Sequence, residues 1–170
     1  MERPELEREL ERLHADCWGW ALACCAHQRE FAEEALQVAY LRVLSGGATY
    51  RGGSSLKTWL FGVIRLVAME EARRGSAWNA RMVSSRHAAQ VADPALRADI
   101  AAERSESGAE LRVALGELSS RQREVLMLVF YHDMSIEEAA AVMQVSVGSA
   151  RTHYDRGKKS LARRLQREDS

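Results

Sequence analysis

The chain has 170 residues, of which 46% are apolar and 28% are charged, a balance typical of a folded, water-soluble protein rather than a disordered one. Basic and acidic residues number 24 each, so the formal net charge is zero, which argues against a protein that coats nucleic acid by charge alone. The charged first ten residues argue against a secretory leader, and the longest apolar run, residues 59–66, is too short to span a bilayer. We therefore expect a cytoplasmic protein with no membrane partner.

The three cysteines lie close together near the start of the chain. Their number is odd and they form no C-x-x-C pair, which argues against a disulfide framework and a standard zinc module. Two histidines nearby add no chelate spacing, and small apolar thiols pack well in cores. We expect no metal site and no cofactor, although the set to be checked is His14, Cys17, Cys24, Cys25 and His27.

Apolar residues recur every three or four positions along most of the chain, which predicts an all-α protein. In the first half the predicted helices are Pro4–Cys25, Phe31–Leu44 and Leu56–Arg74. Glycine and serine interrupt the pattern before the third helix, where Ser54 or Ser55 can accept a backbone N–H as N-cap.

The character of the sequence changes after Arg74. Residues 75–108 lack a sustained apolar stripe and contain the Asp93-Pro94 break, so we interpret them as a linker with at most one short helix. Four helical segments with short joints follow. The prediction is two small helical domains, residues 1–78 and 109–170, joined by a linker over 79–108, with the later helices at 109–118, 120–131, 135–143 and 146–167.

The last two helices have the proportions of a helix-turn-helix. Ser135 and Glu138 form a capping box at the start of the first one, and a two-residue joint, Gln144-Val145, leads to the second. Ala139 and Ala140 are small enough to let the helices cross closely.

The second of these helices is strongly basic. Residues 151–167 contain seven basic residues and one acidic residue, a local charge of +6 in a chain that is neutral overall. A helix of this kind favours phosphate, and in a helix-turn-helix its first turns meet base edges in the major groove. The alternative is an ordinary helical hairpin with a solvated basic face.

The stretch LSSRQREVLMLVFYHDMSIEEAAAVMQVSVGSARTHYDRGKKSLARRL, which begins at Leu118, resembles region 4 of the sigma-70 family, the domain that reads the minus-35 promoter element. Two positions depart from the family pattern. Gln144 stands where glycine is usual, which predicts either strain of about 1 kcal/mol or a turn that is tighter or differently shaped. His153 stands where arginine is commoner. The resemblance implies minus-35 contacts from Ser149, Arg151, Thr152, His153, Arg156, Lys158 and Lys159. Within this set we expect Arg151 and Arg156 to specify bases and the two lysines to contact phosphate.

The segments AEEALQVAYLRVL, from Ala32, and YRGGSSLKTWLFGVIRLVAMEEARR, from Tyr50, resemble region 2 of the extracytoplasmic-function (ECF) sigma group. That group consists of these two domains and a linker, in the order seen here. The helix-turn-helix of response regulators also resembles the last part of the chain, but those proteins carry an α/β domain ahead of it.

The ECF resemblance implies that the second helix docks on the clamp helices of the largest subunit of core RNA polymerase and that the later domain meets the polymerase flap. The docking residues would be Glu33, Glu34, Gln37, Tyr40 and Arg42. Val38 replaces a common acid, and Ala35 replaces a larger apolar residue, so this helix is less acidic than is usual. For each of these polar residues the alternative is a plain solvated face.

The third helix is the segment with which the family melts and holds the minus-10 element. Basic residues beside aromatic ones suit single-stranded DNA, and the candidate contacts are Lys57, Trp59, Arg65, Arg73 and Arg74. Trp59 and Phe61 fit a core better than a stacking platform, because they share helical spacing with other apolar residues. Leu66 stands where asparagine is usual, which predicts altered minus-10 readout.

The family is usually controlled by an anti-sigma factor. The exposed hydroxyls of Thr49 and Ser54, just after the docking helix, offer an alternative: a kinase could add there the negative charge that Val38 removes. The sequence contains no catalytic constellation, so we expect no enzyme activity. Two alternatives to a sigma factor stay open at this point, a stand-alone helix-turn-helix regulator and a helical adaptor that binds only protein.

Overall fold

The computed structural model describes residues 1–75 and 106–168, and throughout these ranges the regular structure is helical, with no strand. The all-α prediction is therefore confirmed. The chain divides into two compact units that separate between residues 85 and 86. Most of the predicted linker, residues 79–105, lies outside the described residues, so the proposed domain boundaries stay predictions.

The first unit is a bundle of three helices, α1 (Arg3–Cys24), α2 (Arg29–Leu44) and α3 (Leu56–Arg74), each of which packs on the other two. α1 begins with a proline in its first turn, where the missing N–H costs no hydrogen bond. α3 begins where Ser55 accepts the backbone N–H of Thr58 at 3.1 Å, so Ser55 is the N-cap.

Two aromatic residues fix α1 against α3. The ring of Trp20 stacks on Phe61 with centroids 5.6 Å apart, and its indole N–H donates to the Phe61 carbonyl at 3.0 Å. Both side chains are fully buried. The interpretation of Phe61 as a core residue is thus confirmed. Its stacking partner, Trp20, lies on a different helix, α1.

The second unit contains α4 (Glu106–Gly116), α5 (Ser120–Leu126), a π-helical turn (Met127–Tyr131), α6 (Ile136–Met143) and α7 (Val147–Glu168). α4 begins three residues before the predicted start. The predicted helix over 120–131 divides into α5 and the π-helical turn, which ends as the His132 N–H donates to the Met127 carbonyl at 3.2 Å.

A glycine in α7 allows side chains of α5 to pack directly against the backbone of α7. α7 packs on α4, α5 and α6, and at its midpoint the buried Gly157 faces α5. A Cβ at that position would lie 3.2 Å from Leu126 Cδ1 and 3.3 Å from Gln122 Cβ. The glycine therefore permits a crossing that a larger residue would force apart.

Candidate nucleic-acid and polymerase interfaces

The helix-turn-helix starts as predicted. The Ser135 hydroxyl accepts the Glu138 N–H at 3.1 Å, and the Glu138 carboxylate accepts the Ser135 N–H at 2.8 Å. The capping box is confirmed. Ala139 and Ala140 behind it are buried, as their expected role in a close crossing requires.

The turn between α6 and α7 keeps the left-handed geometry that favours glycine. Gln144 has φ 55° and ψ 45°. The next N–H, of Val145, donates to the Ala140 carbonyl at 3.1 Å, as in a Schellman motif. The expectation of a tighter turn is therefore wrong, because glutamine adopts the left-handed conformation instead of avoiding it.

Arg121 supports the same turn and was missed by the sequence analysis. Its guanidinium donates to the Met143 carbonyl at 3.2 Å, at the end of α6. A helix end leaves its last carbonyls without intrahelical partners, and a cation there also complements the helix dipole. The only clue in the sequence was a basic residue one helix upstream.

α7 is the candidate recognition helix. Ser146 caps it by accepting the Ser149 N–H at 3.1 Å. The Thr152 hydroxyl donates to the Gly148 carbonyl at 3.0 Å, so the hydroxyls in the first turns have local partners. His153 is half-buried, whereas the other predicted minus-35 residues are exposed: Ser149, Arg151, Thr152, Arg156, Lys158 and Lys159.

Helical spacing divides the cations of α7 between two flanks. Arg151 and Lys158, seven residues apart, share one flank, and Arg156, Lys159 and Arg163 follow the other. Arg151 lies 3.7 Å from the carboxylate of Glu137 on α6. Lys158 lies 3.9 Å from Asp155 and 4.2 Å from the ring centroid of Tyr154. Because these ion pairs are exposed, they hold the cations only weakly and leave them available to phosphate.

The candidate minus-10 residues of α3 differ in exposure. Arg73 and Arg74 are exposed, and Arg74 pairs with Glu71 at 3.3 Å. Lys57 is partly exposed and lies 3.1 Å from Asp16. Arg65 is only 7% exposed. The side chain of Arg65 therefore lies largely within the bundle, which does not favour it as a DNA contact, and its predicted role stays a prediction.

Trp59 is half-buried, so its exposure is intermediate between that of a core residue and that of a stacking platform for DNA bases. Its ring packs against Tyr50, with centroids 5.4 Å apart. The Tyr50 hydroxyl donates to the Ser54 carbonyl at 2.5 Å, which closes the loop before α3. Tyr50 thus fixes both the loop and the orientation of Trp59, a role that was not predicted from the sequence.

The candidate polymerase-binding residues of α2 also separate into two groups. Glu33, Glu34 and Gln37 are exposed. Tyr40 and Arg42 are partly exposed and have hydrogen-bond partners within the first unit. The Tyr40 hydroxyl lies 3.1 Å from His14 Nδ1 and is hydrogen-bonded to the thiol of Cys17, and burial raises the pKa of Tyr40.

Arg42 forms a hydrogen-bonded ion pair with Glu70 of α3. This hydrogen bond to the Arg42 guanidinium holds the pKa of the Glu70 carboxyl below its usual range and raises the pKa of Arg42. The pair ties α2 to α3.

The loop residues proposed for phosphorylation are not equally accessible. Thr49 is exposed. Ser54 is partly exposed, and its hydroxyl donates to the Ser55 carbonyl at 3.2 Å. Modification of Ser54 would disturb the turn that Tyr50 closes.

The cysteines are free thiols within the first unit. Burial raises the pKa of Cys17 to about 11 and that of Cys25 to about 12, so both are protonated at neutral pH. Among the residues that the structure describes, no cluster of three His, Cys, Asp or Glu side chains could hold a metal ion. Within the same ranges no helix has the length and apolarity needed to cross a membrane.

Comparison with known proteins defines the class. The sigma-70 region 4 family model matches residues 108–161, which include the helix-turn-helix. The ECF RNA polymerase sigma factor SigX of Bacillus subtilis is 32% identical over 136 residues, covering 79% of this chain and 70% of that protein. The ECF RNA polymerase sigma factor EcfG of Rhodopseudomonas palustris is 27% identical over 135 residues, covering 77% and 69%.

A solved structure has the same fold. The sigma factor RpoE from Bartonella quintana, in a co-crystal structure with the anti-sigma factor NepR, matches with a TM-score of 0.69 at 22% identity, over 95% of this chain and 97% of that one. The chain belongs to the ECF group of sigma-70 family RNA polymerase sigma factors. It is a subunit that binds core RNA polymerase and directs promoter-specific initiation of transcription, rather than a stand-alone regulator or an adaptor.

Proposed function

We propose that the first unit engages the polymerase clamp and the minus-10 element and that the second unit reads the minus-35 element. The observation that carries this proposal is the capped helix-turn-helix with a basic, largely exposed α7, in a chain with no net charge. Two weak DNA readers tethered through one polymerase gain effective concentration for each other. A neutral chain with two small domains can in this way be selective.

In the minus-35 complex, α7 lies in the major groove. Arg151 and Arg156 flank the helix face that carries Thr152, so both can reach base edges. Ser149 and His153 are placed near the same first turns. Lys158 and Lys159 lie further along the helix, where side chains meet the sugar-phosphate backbone.

For the minus-10 element we propose Lys57, Arg73 and Arg74 as phosphate contacts and Trp59 as a surface beside the unpaired bases. Trp59 is suited to this because one part of its ring is exposed while Tyr50 holds the other. Arg65 is left out of the set because it is buried. Leu66 is 36% exposed on the same helix and replaces a usual asparagine, which changes the chemistry next to the melted strand.

We place core RNA polymerase on α2, with Glu33, Glu34 and Gln37 facing the clamp helices of the largest subunit, and we expect the flap to meet the second unit. The partners are therefore core polymerase and promoter DNA. We assign no catalytic step to the chain itself.

Control by a protein partner is the natural expectation, since the sigma factor RpoE from Bartonella quintana was solved with an anti-sigma factor. We also propose Thr49 as the better of the two kinase sites, because it is exposed and Ser54 is not fully so. A phosphate there would add about −1.5 to −2 charge beside the docking helix.

The test of the function is binding of labelled promoter DNA by the full chain, with and without core polymerase, over a salt series. We expect co-purification with core polymerase and sequence-specific binding only in its presence. Specific binding by the chain alone would favour a stand-alone regulator. Binding of neither polymerase nor DNA would contradict the proposal.

A further inference from the structure

We infer that α2 holds core polymerase chiefly through an apolar side chain, Leu41, and that the carboxylates around it govern the rate of approach. This inference rests on the proposed docking of α2. It goes further by naming the residue and the kind of contact on which the complex depends.

Leu41 is unusually exposed for its type. Its exposed fraction is 67%, the largest among the exposed large apolar residues of the described ranges. It lies four residues after Gln37 and seven after Glu34, so all three share one face of α2. Val38, which replaces the usual acid, borders the same face. The exposed face of α2 therefore carries an apolar side chain next to its carboxylates.

The polar neighbours of Leu41 in the sequence are held away from a partner. Tyr40 is bonded to His14 and Cys17, and Arg42 is paired with Glu70, so both contribute to the bundle. These bonds orient both polar groups toward other parts of the first unit. Leu41 is held by no such bond and already points outward.

The apolar surface continues beyond Leu41. Leu44 follows three residues later on α2. Together with Tyr40 of α2 it lines a cleft between α1 and α2, and α1 contributes to this lining Glu7, Leu10, Glu11 and His14. The complementary surface of the polymerase would thus be an apolar pocket for Leu41 with basic residues around it.

With an apolar contact surrounded by charges, association and dissociation depend on different side chains. Charges at the rim of an interface mainly change association and its salt dependence, whereas a desolvated apolar contact mainly changes dissociation. A phosphate on Thr49 would act on association in the same way as the carboxylates.

The experiment measures association and dissociation of the full chain on immobilised core polymerase at low and high salt. The variants are Leu41→Gln, which keeps the size but adds polarity, and Leu41→Met, which keeps the apolar character. Glu34→Gln removes one rim charge. The matched control is Leu111→Gln, because Leu111 is 38% exposed in the other unit. The melting temperature of each variant confirms that it is folded.

We expect Leu41→Gln to raise the dissociation rate about tenfold at both salt concentrations, from the lost burial of one leucine. Leu41→Met and Leu111→Gln should stay within about twofold of the wild type. Glu34→Gln should slow association at low salt only. Unchanged dissociation of Leu41→Gln would overturn the inference while leaving the sigma-factor function intact. A wild type that does not bind core polymerase at all would overturn the proposed docking itself.

Discussion

At the scale of single residues, Gln144 shows what one strained side chain contributes to the helix-turn-helix. It holds a left-handed conformation at φ 55° that costs a non-glycine residue about 1 kcal/mol. Gln144→Gly should therefore stabilise the second unit by about that amount. Amide hydrogen exchange in α6 and α7 measures this, because protection rises with local stability. Unchanged or reduced protection would mean that the glutamine side chain contributes more than its strain costs.

At Gly157, in contrast, replacing the residue should destabilise the second unit. A branched side chain there would meet Leu126 and Gln122 at less than van der Waals distance and force α7 away from α5. We expect Gly157→Val to destabilise the second unit by about 1–3 kcal/mol. The control is Gly62→Ala in α3, where an added Cβ meets nothing within 4 Å, so stability should rise by about 0.5–1 kcal/mol. Calorimetry of both variants checks the pair; equal effects would contradict the crossing described for Gly157.

Residues of this kind mark the limit of prediction from sequence. The capping box was predicted from two residues three positions apart, since its geometry is local. The contacts of Arg121 and Gly157 are with segments distant in sequence, so periodicity does not predict them. Tyr50 closes a local turn whose shape is likewise not encoded by periodicity. The burial of Arg65 was not predicted, because a basic residue in an apolar helix was expected to be exposed. The exposure of Leu41 could have been predicted from the sequence, because a helical wheel of α2 places this residue on the polar side.

At the scale of elements, the Arg42–Glu70 pair connects α2 to α3 and makes the first unit sensitive to pH. The hydrogen bond from Arg42 keeps the pKa of Glu70 in the folded state below its ordinary value of 4.5. The stabilisation is therefore present above about pH 4.5 and is lost as the pH falls through the folded-state pKa. Both side chains are about one-third exposed, 33% and 37%, so the pair contributes about 0.5–1 kcal/mol.

We expect Glu70→Gln to lower the free energy of unfolding by that amount at pH 7, and we expect this effect to shrink as the pH falls through the folded-state pKa of Glu70. Tryptophan fluorescence during denaturation reports the first unit selectively, since all four tryptophans lie in the first 85 residues. Glu33→Gln on the exposed face of α2 is the control and should change little over the same pH range. An effect of Glu70→Gln that stayed constant throughout the acid titration would show that the loss is steric.

The arginines and lysines of α7 should have different effects on promoter recognition. Arg151→Ala and Arg156→Ala should each relax preference at particular minus-35 positions, at a cost of about 1–3 kcal/mol. Lys159→Ala should weaken all sequences alike and reduce the salt slope of binding by about one. Transcription by the holoenzyme from a library of minus-35 variants separates these outcomes. Retention of full minus-35 preference by Arg151→Ala would mean that α7 sits in a different register on DNA.

The ends of the helices show how accurately apolar periodicity predicts secondary structure in this chain. α3 was predicted at both ends, and α1, α2, α6 and α7 to within two residues, because caps and glycine-rich joints punctuate the pattern. The π-helical turn was not predicted, since one additional residue in a turn leaves the apolar pattern continuous. The start of α4 fell within the stretch assigned to the linker, where alanine-rich composition gives no stripe to follow.

At the scale of the whole molecule, two small helical units share one task because neither offers a large surface on its own. The assignment to the ECF sigma factors offers a reason why a neutral chain carries a strongly basic terminal helix. On the function that we propose, the basic helix meets DNA, and the polymerase supplies the affinity that the chain does not provide by charge. From the sequence this organisation followed from the order of two motifs, whereas their promoter preference did not.

The central claim is that this chain confers promoter specificity on core RNA polymerase, and transcript mapping tests it most directly. Core polymerase with the purified chain would transcribe a genomic fragment library in vitro, and the start sites would be sequenced. We predict that the start sites share two elements at minus-10 and minus-35 spacing, absent with core polymerase alone, and that Arg156→Ala selectively weakens use of the minus-35 element. Start sites identical to those of core polymerase alone would contradict the account.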